Sequence, residues 1–253
     1  MIAQSRLPAP VNRVPEVTLD FWLIKLMAVT MGETAADFLA VNLGLGLTAT
    51  TSLMSMILVG VMATQMTTKR YVPWIYWLAV VMISIVGTLI TDNLVDTFGV
   101  PLMTTTIVFS VALAATFAIW YASERTLSIH AIFTDRREAF YWLAILLTFA
   151  LGTAVGDLIS EVFGLGYTAT GILFGLIIAS LALGYFKLGL DPILGFWLAY
   201  ILTRPLGASF GDLMSQPPEY GGMGLGTIIT SAAFLAVILS VVAMMTVRRG
   251  RAA

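Results

Sequence analysis

Carboxylic acids lie inside long apolar stretches of this 253-residue chain, where a charge needs a reason to be present. An ionised carboxylate in the hydrocarbon of a membrane is costly unless it is paired, protonated or hydrated, so it is by default a hypothesis for a functional site. The acids that lie deepest are Glu33, Asp37, Asp92, Asp157 and Asp212. If these side chains face a common axis, they form an oxygen-lined site for a cation or a proton.

The four aspartates belong to a spacing that occurs four times. A tryptophan is followed by a glycine ten residues later and by an aspartate fifteen residues later. The sets are Trp22–Gly32–Asp37, Trp77–Gly87–Asp92, Trp142–Gly152–Asp157 and Trp197–Gly207–Asp212. In addition, GLGLTAT at 44–50 matches GLGYTAT at 164–170. Internal repeats of this kind indicate a two-helix unit that was duplicated twice.

Glu33 and Arg204 break the repeat, because neither has a charged counterpart at its position in the other copies. We therefore predict that Arg204 pairs with Glu33 or Asp37. Lys25 lies three residues after Trp22, and its side chain either extends to the cytoplasmic interface or supports the acids. The hydroxyl groups that we expect to support the acidic site are Thr34, Thr88, Thr91, Thr153 and Ser209.

The nature of the ligand follows from charge and donor type. The deep acids outnumber Lys25 and Arg204, which favours a cation or a proton over an anion. Carboxylate and hydroxyl oxygens suit Mg²⁺, Ca²⁺ and Mn²⁺, and the chain has no cysteine for a thiolate site. The predicted metal ligands are Glu33, Asp37, Asp157 and Asp212. We expect Asp96 and Glu161, which lie further out, to cap helix ends or to bond hydroxyl groups.

Composition indicates the elements that position these residues. The chain is 59% hydrophobic and only 11% charged, which excludes a soluble enzyme and a nucleic-acid-binding protein. Its apolar runs are continuous, which excludes an outer-membrane barrel. The fold class is an all-α integral membrane protein in contact with the lipid bilayer. The eight predicted spans are 19–41, 47–67, 73–94, 101–122, 139–161, 167–186, 190–213 and 226–247.

Basic residues predict the orientation of this single membrane domain. Eleven of the thirteen lysines and arginines, from Arg6 to Arg251, lie before span 1, after span 8 or in every second loop. The positive-inside rule therefore places both termini in the cytoplasm of a multi-pass inner-membrane protein. Each repeat begins in the cytoplasm, so the repeats are parallel about an axis along the membrane normal. Their predicted ranges are 19–70, 73–125, 138–187 and 190–247, with a cytoplasmic loop at 124–138.

The chain resembles a family of uncharacterised bacterial membrane-anchored proteins built from four tandem two-helix repeats. The residues that carry the resemblance are FWLIKLMAVTMGETAADF at 21–38 and FWLAYILTRPLGASFGDLM at 196–214, with the tryptophan–glycine–aspartate spacing between them. The repeat is one of unknown function. The resemblance implies the architecture and transport of a cation such as divalent manganese.

The leading hypothesis is a secondary transporter, not an enzyme, that exchanges a cation for protons. Two alternatives remain open. An intramembrane aspartyl protease would use two membrane aspartates that share a proton, and AVGD at 154–157 and SFGD at 209–212 approach its Gly-x-Gly-Asp motif but lack the first glycine. The other alternative is a passive channel, which would select cations with a ring of acids, or a structural membrane protein. A homo-oligomer is compatible with the sequence, and no resident cofactor is expected.

Overall fold

The computed structural model describes residues 11–252, so Arg6 of the topology prediction lies outside the described residues. Within this range the chain forms eight α-helices and no strand, as predicted. Their bounds are α1 Leu19–Asp37, α2 Leu47–Thr67, α3 Pro73–Asp92, α4 Leu102–Glu124, α5 Asp135–Asp157, α6 Gly166–Leu188, α7 Pro192–Ser215 and α8 Thr227–Ala252. Seven of these helices are long and apolar enough to cross a membrane. The exception is α1, which carries Lys25, Glu33 and Asp37 along its length.

The predicted loop at 124–138 is shorter in the structure, because α5 begins at Asp135 rather than at 139. The side chain of Thr134 accepts a hydrogen bond from the backbone N–H of Arg137 and caps the helix. All four residues of this first turn are charged, and its acids Asp135 and Glu138 suit the N-terminus of a helix. A search for apolar runs does not detect such a turn. The remaining connection contains one 3-10 turn at Ile129–Ala131.

The odd-numbered helices form an inner ring, and the even-numbered helices pack outside it. Around the ring, α1 contacts α3, α3 contacts α5, α5 contacts α7, and α7 contacts α1. The outer helices α2, α4, α6 and α8 pack on α3, α5, α7 and α1 respectively. Each repeat therefore places its outer helix on the inner helix of the next repeat, and the four parallel copies interlock around one axis.

The glycine of each repeat allows this close packing. A Cβ atom added at any of the four would lie within 1.9–2.7 Å of a side chain on the next inner helix. That side chain is always the residue seven positions after the tryptophan of the next repeat. The contacts are Gly32 with Ser84, Gly87 with Phe149, Gly152 with Arg204 and Gly207 with Val29. The glycine in the repeated spacing thus marks the crossing point of two inner helices.

Substituting Gly152 with alanine tests this close approach. The new methyl group would lie 2.2 Å from Cγ of Arg204, so we expect the free energy of unfolding to fall by about 1–3 kcal/mol. Gly60→Ala on α2 is the control, because nothing lies within 4 Å of a Cβ atom there. Thermal unfolding in detergent compares the two variants. Equal stability would show that α5 and α7 do not approach so closely.

Aromatic side chains fill the inner ring at the end where its helices begin. The residue before each tryptophan is aromatic and buried, and it packs on the tryptophan of the next repeat. The ring centroids lie 5.6 Å apart for Phe21 and Trp77, 5.3 Å for Tyr76 and Trp142, 6.2 Å for Tyr141 and Trp197, and 5.8 Å for Phe196 and Trp22. The Tyr76 and Tyr141 hydroxyl groups also hydrogen-bond to each other at 2.5 Å. We call these eight side chains the aromatic layer.

Ion pairs collect at the same end of the bundle. Arg13 pairs with Asp135 and Glu138, and Lys69 pairs with Asp135 at 2.8 Å. Arg137 pairs with Glu124 at 2.8 Å across the loop between α4 and α5. This end therefore gathers the segment before α1 and two of the loops that the topology prediction places together.

Candidate functional site

A cavity of about 170 Å³ lies at the other end of the inner ring, where α1, α3, α5 and α7 end. Its acidic lining consists of Glu33, Asp37, Asp92, Asp96, Asp157, Glu161 and Asp212. The other lining residues are Val41, Leu47, Val95, Leu102, Tyr167 and Gln216. Of the described residues, no lysine, arginine or histidine lines it. We call this space the acidic cavity.

The four repeated aspartates all line the acidic cavity, so the structure brings together the residues that the spacing predicts. Asp212 is almost buried, whereas Asp37, Asp92 and Asp157 are half-buried. The carboxylate of Asp37 accepts a hydrogen bond from Nε2 of Gln216 at 3.3 Å. Within residues 11–252, the carboxylates of the other three aspartates have no hydrogen bond or ion pair, and their oxygens remain available to a ligand.

Residues four positions before and after each aspartate form two further layers. On an α-helix, positions four apart lie on one face, so the three layers are stacked along the axis. The layer below the aspartates contains Glu33, Thr88, Thr153 and Ala208. The layer above them contains Val41, Asp96, Glu161 and Gln216, and all four line the cavity. This outer layer is a part of the site that the sequence reasoning missed.

Asp96 and Glu161 are therefore not the helix caps that we expected. Both side chains are exposed at the rim of the acidic cavity, and neither makes a hydrogen bond or ion pair in the described structure. They lie in π-helical turns at Asn93–Thr97 and Leu158–Val162, which follow the aspartates directly. A π turn continues the helix, so the acids stay on its inner face rather than at a free end.

Arg204 lies below the cavity, and of its two predicted partners it pairs with Glu33, which lines the cavity. Nη1 of Arg204 lies 2.7 Å from Oε2 of Glu33. Nη2 donates to Oγ1 of Thr153 at 2.7 Å and to Oγ1 of Thr88. The Thr88 hydroxyl in turn donates to Glu33 at 3.1 Å. Two of the predicted hydroxyl residues therefore bind the arginine that holds Glu33.

Lys25 does not lie where either expectation placed it, because its side chain reaches neither the membrane interface nor an acid. It is fully buried, and Nζ donates to the backbone carbonyl of Tyr200 at 2.7 Å and to Oγ1 of Thr203. Nζ also lies 4.4 Å from the centre of the Tyr200 ring, whose face attracts a cation. Acceptors on α7 thus hold the lysine inside the bundle.

None of the five predicted hydroxyl residues lines the cavity, and the other three do not bind Arg204 either. Thr34 hydrogen-bonds to Ser231 of α8 at 2.6 Å, and Thr91 donates to the carbonyl of Ala150 on α5 at 2.9 Å. Ser209 donates to a carbonyl in its own helix. With 3.6 residues per turn, these positions face neighbouring helices rather than the axis.

The predicted metal ligands share the cavity but are not gathered into a closed metal site. Glu33, Asp37, Asp157 and Asp212 all line it, together with Asp92. Across the described residues, no group of three or more acids or histidines is arranged to hold a metal ion as it stands. A cation in this cavity would keep part of its hydration shell unless the helices closed around it.

Comparison with known families matches the whole repeat array. The family described as Repeat of Unknown Function (DUF347) matches residues 21–71, 75–126, 140–189 and 195–251. The chain belongs to this family. Each DUF347 repeat contains one tryptophan–glycine–aspartate set, which confirms the resemblance to a four-repeat family. No curated protein and no solved structure matches the chain.

Proposed function

We propose that this DUF347 protein is a secondary transporter that moves a cation, with Mn²⁺ as the leading substrate, in exchange for protons. One observation supports the proposal above all: seven carboxylic acids, and no basic side chain among the described residues, line a single cavity inside the helix bundle. Like charges held so close together require compensation, which either a cation or protons can supply. Ligand exchange at shared acids is the chemistry that coupled transport needs.

The outer surface of the bundle supports a place in the lipid bilayer. The outer helices expose large apolar side chains, among them Met56 and Val59 of α2 and Leu176 of α6. We propose the bacterial inner membrane, with both termini in the cytoplasm, because basic residues concentrate at one end of the helices. In this orientation the acidic cavity faces outward, and the aromatic layer lies on the cytoplasmic side.

The acidic cavity is closed at one end, which favours a carrier over a channel. A channel needs a continuous path, whereas here the buried Arg204, Lys25 and the aromatic layer lie below the cavity. Transport would require the inner helices to move so that the acids face the cytoplasm. The aspartyl protease alternative uses one pair of acids, and the structure gives four matching aspartates in one space.

Uptake of Mn²⁺ into liposomes tests the proposal. With an opposing proton gradient, we expect the wild-type protein to take up Mn²⁺ and both Asp37→Asn and Asp212→Asn to fall to the rate of empty liposomes. Glu219→Gln is the matched control, because Glu219 is an exposed acid near the same end that does not line the cavity. Full activity in both asparagine variants would contradict the proposal.

A further inference from the structure

Arg204 lies across the axis and contacts three repeats at one level. Its acceptors Glu33, Thr88 and Thr153 are the residues eleven positions after the tryptophans of the first three repeats. The fourth residue of this layer is Ala208, which lies one turn further along the arginine's own helix. One guanidinium group therefore joins the floor of the cavity, and the side chain is fully buried.

A second basic side chain, Lys25, lies between Arg204 and the aromatic layer. It is fully buried and has no carboxylate partner in the described structure. The inner helices α3 and α5 carry Val80 and Ile145 at the position of Lys25, so they add no acid at this level. A cation that leaves the acidic cavity along the axis must therefore pass the guanidinium group of Arg204, which repels it in a poorly hydrated interior. It must then pass the level of Lys25, where the described inner helices offer it no carboxylate.

The surroundings of Arg204 hold it in place but leave its helix able to bend. Gly152 of α5 makes room for the side chain, since a Cβ atom there would lie 2.2 Å from Cγ of Arg204. Pro205 follows directly and has no N–H, so α7 lacks the backbone hydrogen bond that would join residue 205 to Ile201. Bending at this point would move the guanidinium group relative to Glu33.

We infer that Arg204 is the gating residue of the acidic cavity. It pairs with Glu33 in the absence of substrate and prevents cations from leaking along the axis. This inference rests on the proposed transport function and deepens it. Because Arg204 holds Glu33, a cation gains that carboxylate only when Arg204 withdraws. The arginine thus couples binding in the cavity to movement of α7.

Neutralising Arg204 should produce a leak. In liposomes with a Mn²⁺ gradient and no proton gradient, we expect Arg204→Gln to admit Mn²⁺ at least ten times faster than the wild type. Arg204→Lys keeps the positive charge and should admit Mn²⁺ no faster than the wild type. Lys187→Gln removes an exposed cation at the end of α6 and should behave as the wild type does.

The double variant Glu33→Gln/Arg204→Gln covers the case in which Arg204→Gln fails to fold, since it leaves no unpaired acid in the floor. Liposomes with the double variant should also admit Mn²⁺ without a proton gradient. Suppose that the wild type exchanges Mn²⁺ for protons, but the folded Arg204→Gln and double variants admit no more Mn²⁺ than the wild type without a proton gradient. The gating role is then wrong and the transport function stands. If neither the wild type nor any variant moves Mn²⁺ under any gradient, both proposals are wrong.

Discussion

A variant with asparagine in place of Asp37, Asp92, Asp157 and Asp212 is expected to fold normally and to bind Mn²⁺ at least 100-fold more weakly than the wild type. Asparagine has nearly the same shape as aspartate, and three of these carboxylates have no partner in the described residues. The substitution should therefore leave packing intact and relieve repulsion between the acids. A 100-fold loss corresponds to about 2.8 kcal/mol of binding free energy, or about 0.7 kcal/mol for each of the four carboxylates removed.

Binding is measured by isothermal titration of Mn²⁺ into the purified protein in detergent, and folding by thermal unfolding without metal. The control combines Glu16→Gln, Asp20→Asn and Glu219→Gln, which remove acids that do not line the cavity. The control should keep the wild-type affinity. An unchanged affinity in the four-asparagine variant would mean that the aspartates do not bind the cation.

The repeated spacing was enough to predict that the four inner helices bring the repeated aspartates together. Within each copy, the tryptophan, the glycine and the aspartate lie on a single inner helix, so parallel copies must place like residues at like depth. Hydrophobic runs predicted most helix ends to within two residues, and α2 agreed at both ends. The larger errors are at the start of α5 and the end of α8, where the helix extends beyond its apolar run. They are also at the ends of α1 and α5, where the α-helix stops at the aspartate and a π turn continues it.

Apart from the pairing of Arg204 with Glu33, the contacts between repeats could not be predicted, because spacing specifies a face of a helix but not its neighbour. That each outer helix packs on the next repeat depends on how the inner ring closes. The same limit applies to Lys25, whose acceptors on Tyr200 and Thr203 are 175 and 178 residues away in the chain. A signal for the outer layer was present, since Asp96 and Glu161 occupy one repeat position, but two residues of that layer, Val41 and Gln216, carry no charge.

Substituting Glu138 with alanine is expected to lower the free energy of unfolding by about 3–5 kcal/mol. Glu138 is fully buried near the start of α5, within the predicted loop. Its carboxylate accepts hydrogen bonds from Arg13 at 2.8 Å, Gln65 at 2.9 Å and Trp142 at 3.3 Å. Its removal leaves all three donors without this acceptor and leaves Arg13 with only the exposed Asp135 as an ionic partner.

Thermal unfolding in detergent compares Glu138→Ala with Glu138→Gln, which keeps one oxygen acceptor and should lose less stability. A Glu138→Ala variant as stable as the wild type would show that the cluster does not stabilise the fold. Burial alone would lower the pKa of Arg13, but its hydrogen bonds to Glu138 and Asp135 raise it above the usual value, so the guanidinium stays charged. Arg13 also donates its backbone N–H to Ile132 in the loop before α5 at 2.9 Å. The Glu138 carboxylate therefore links the segment before α1 to α5, at the end of the bundle opposite the acidic cavity.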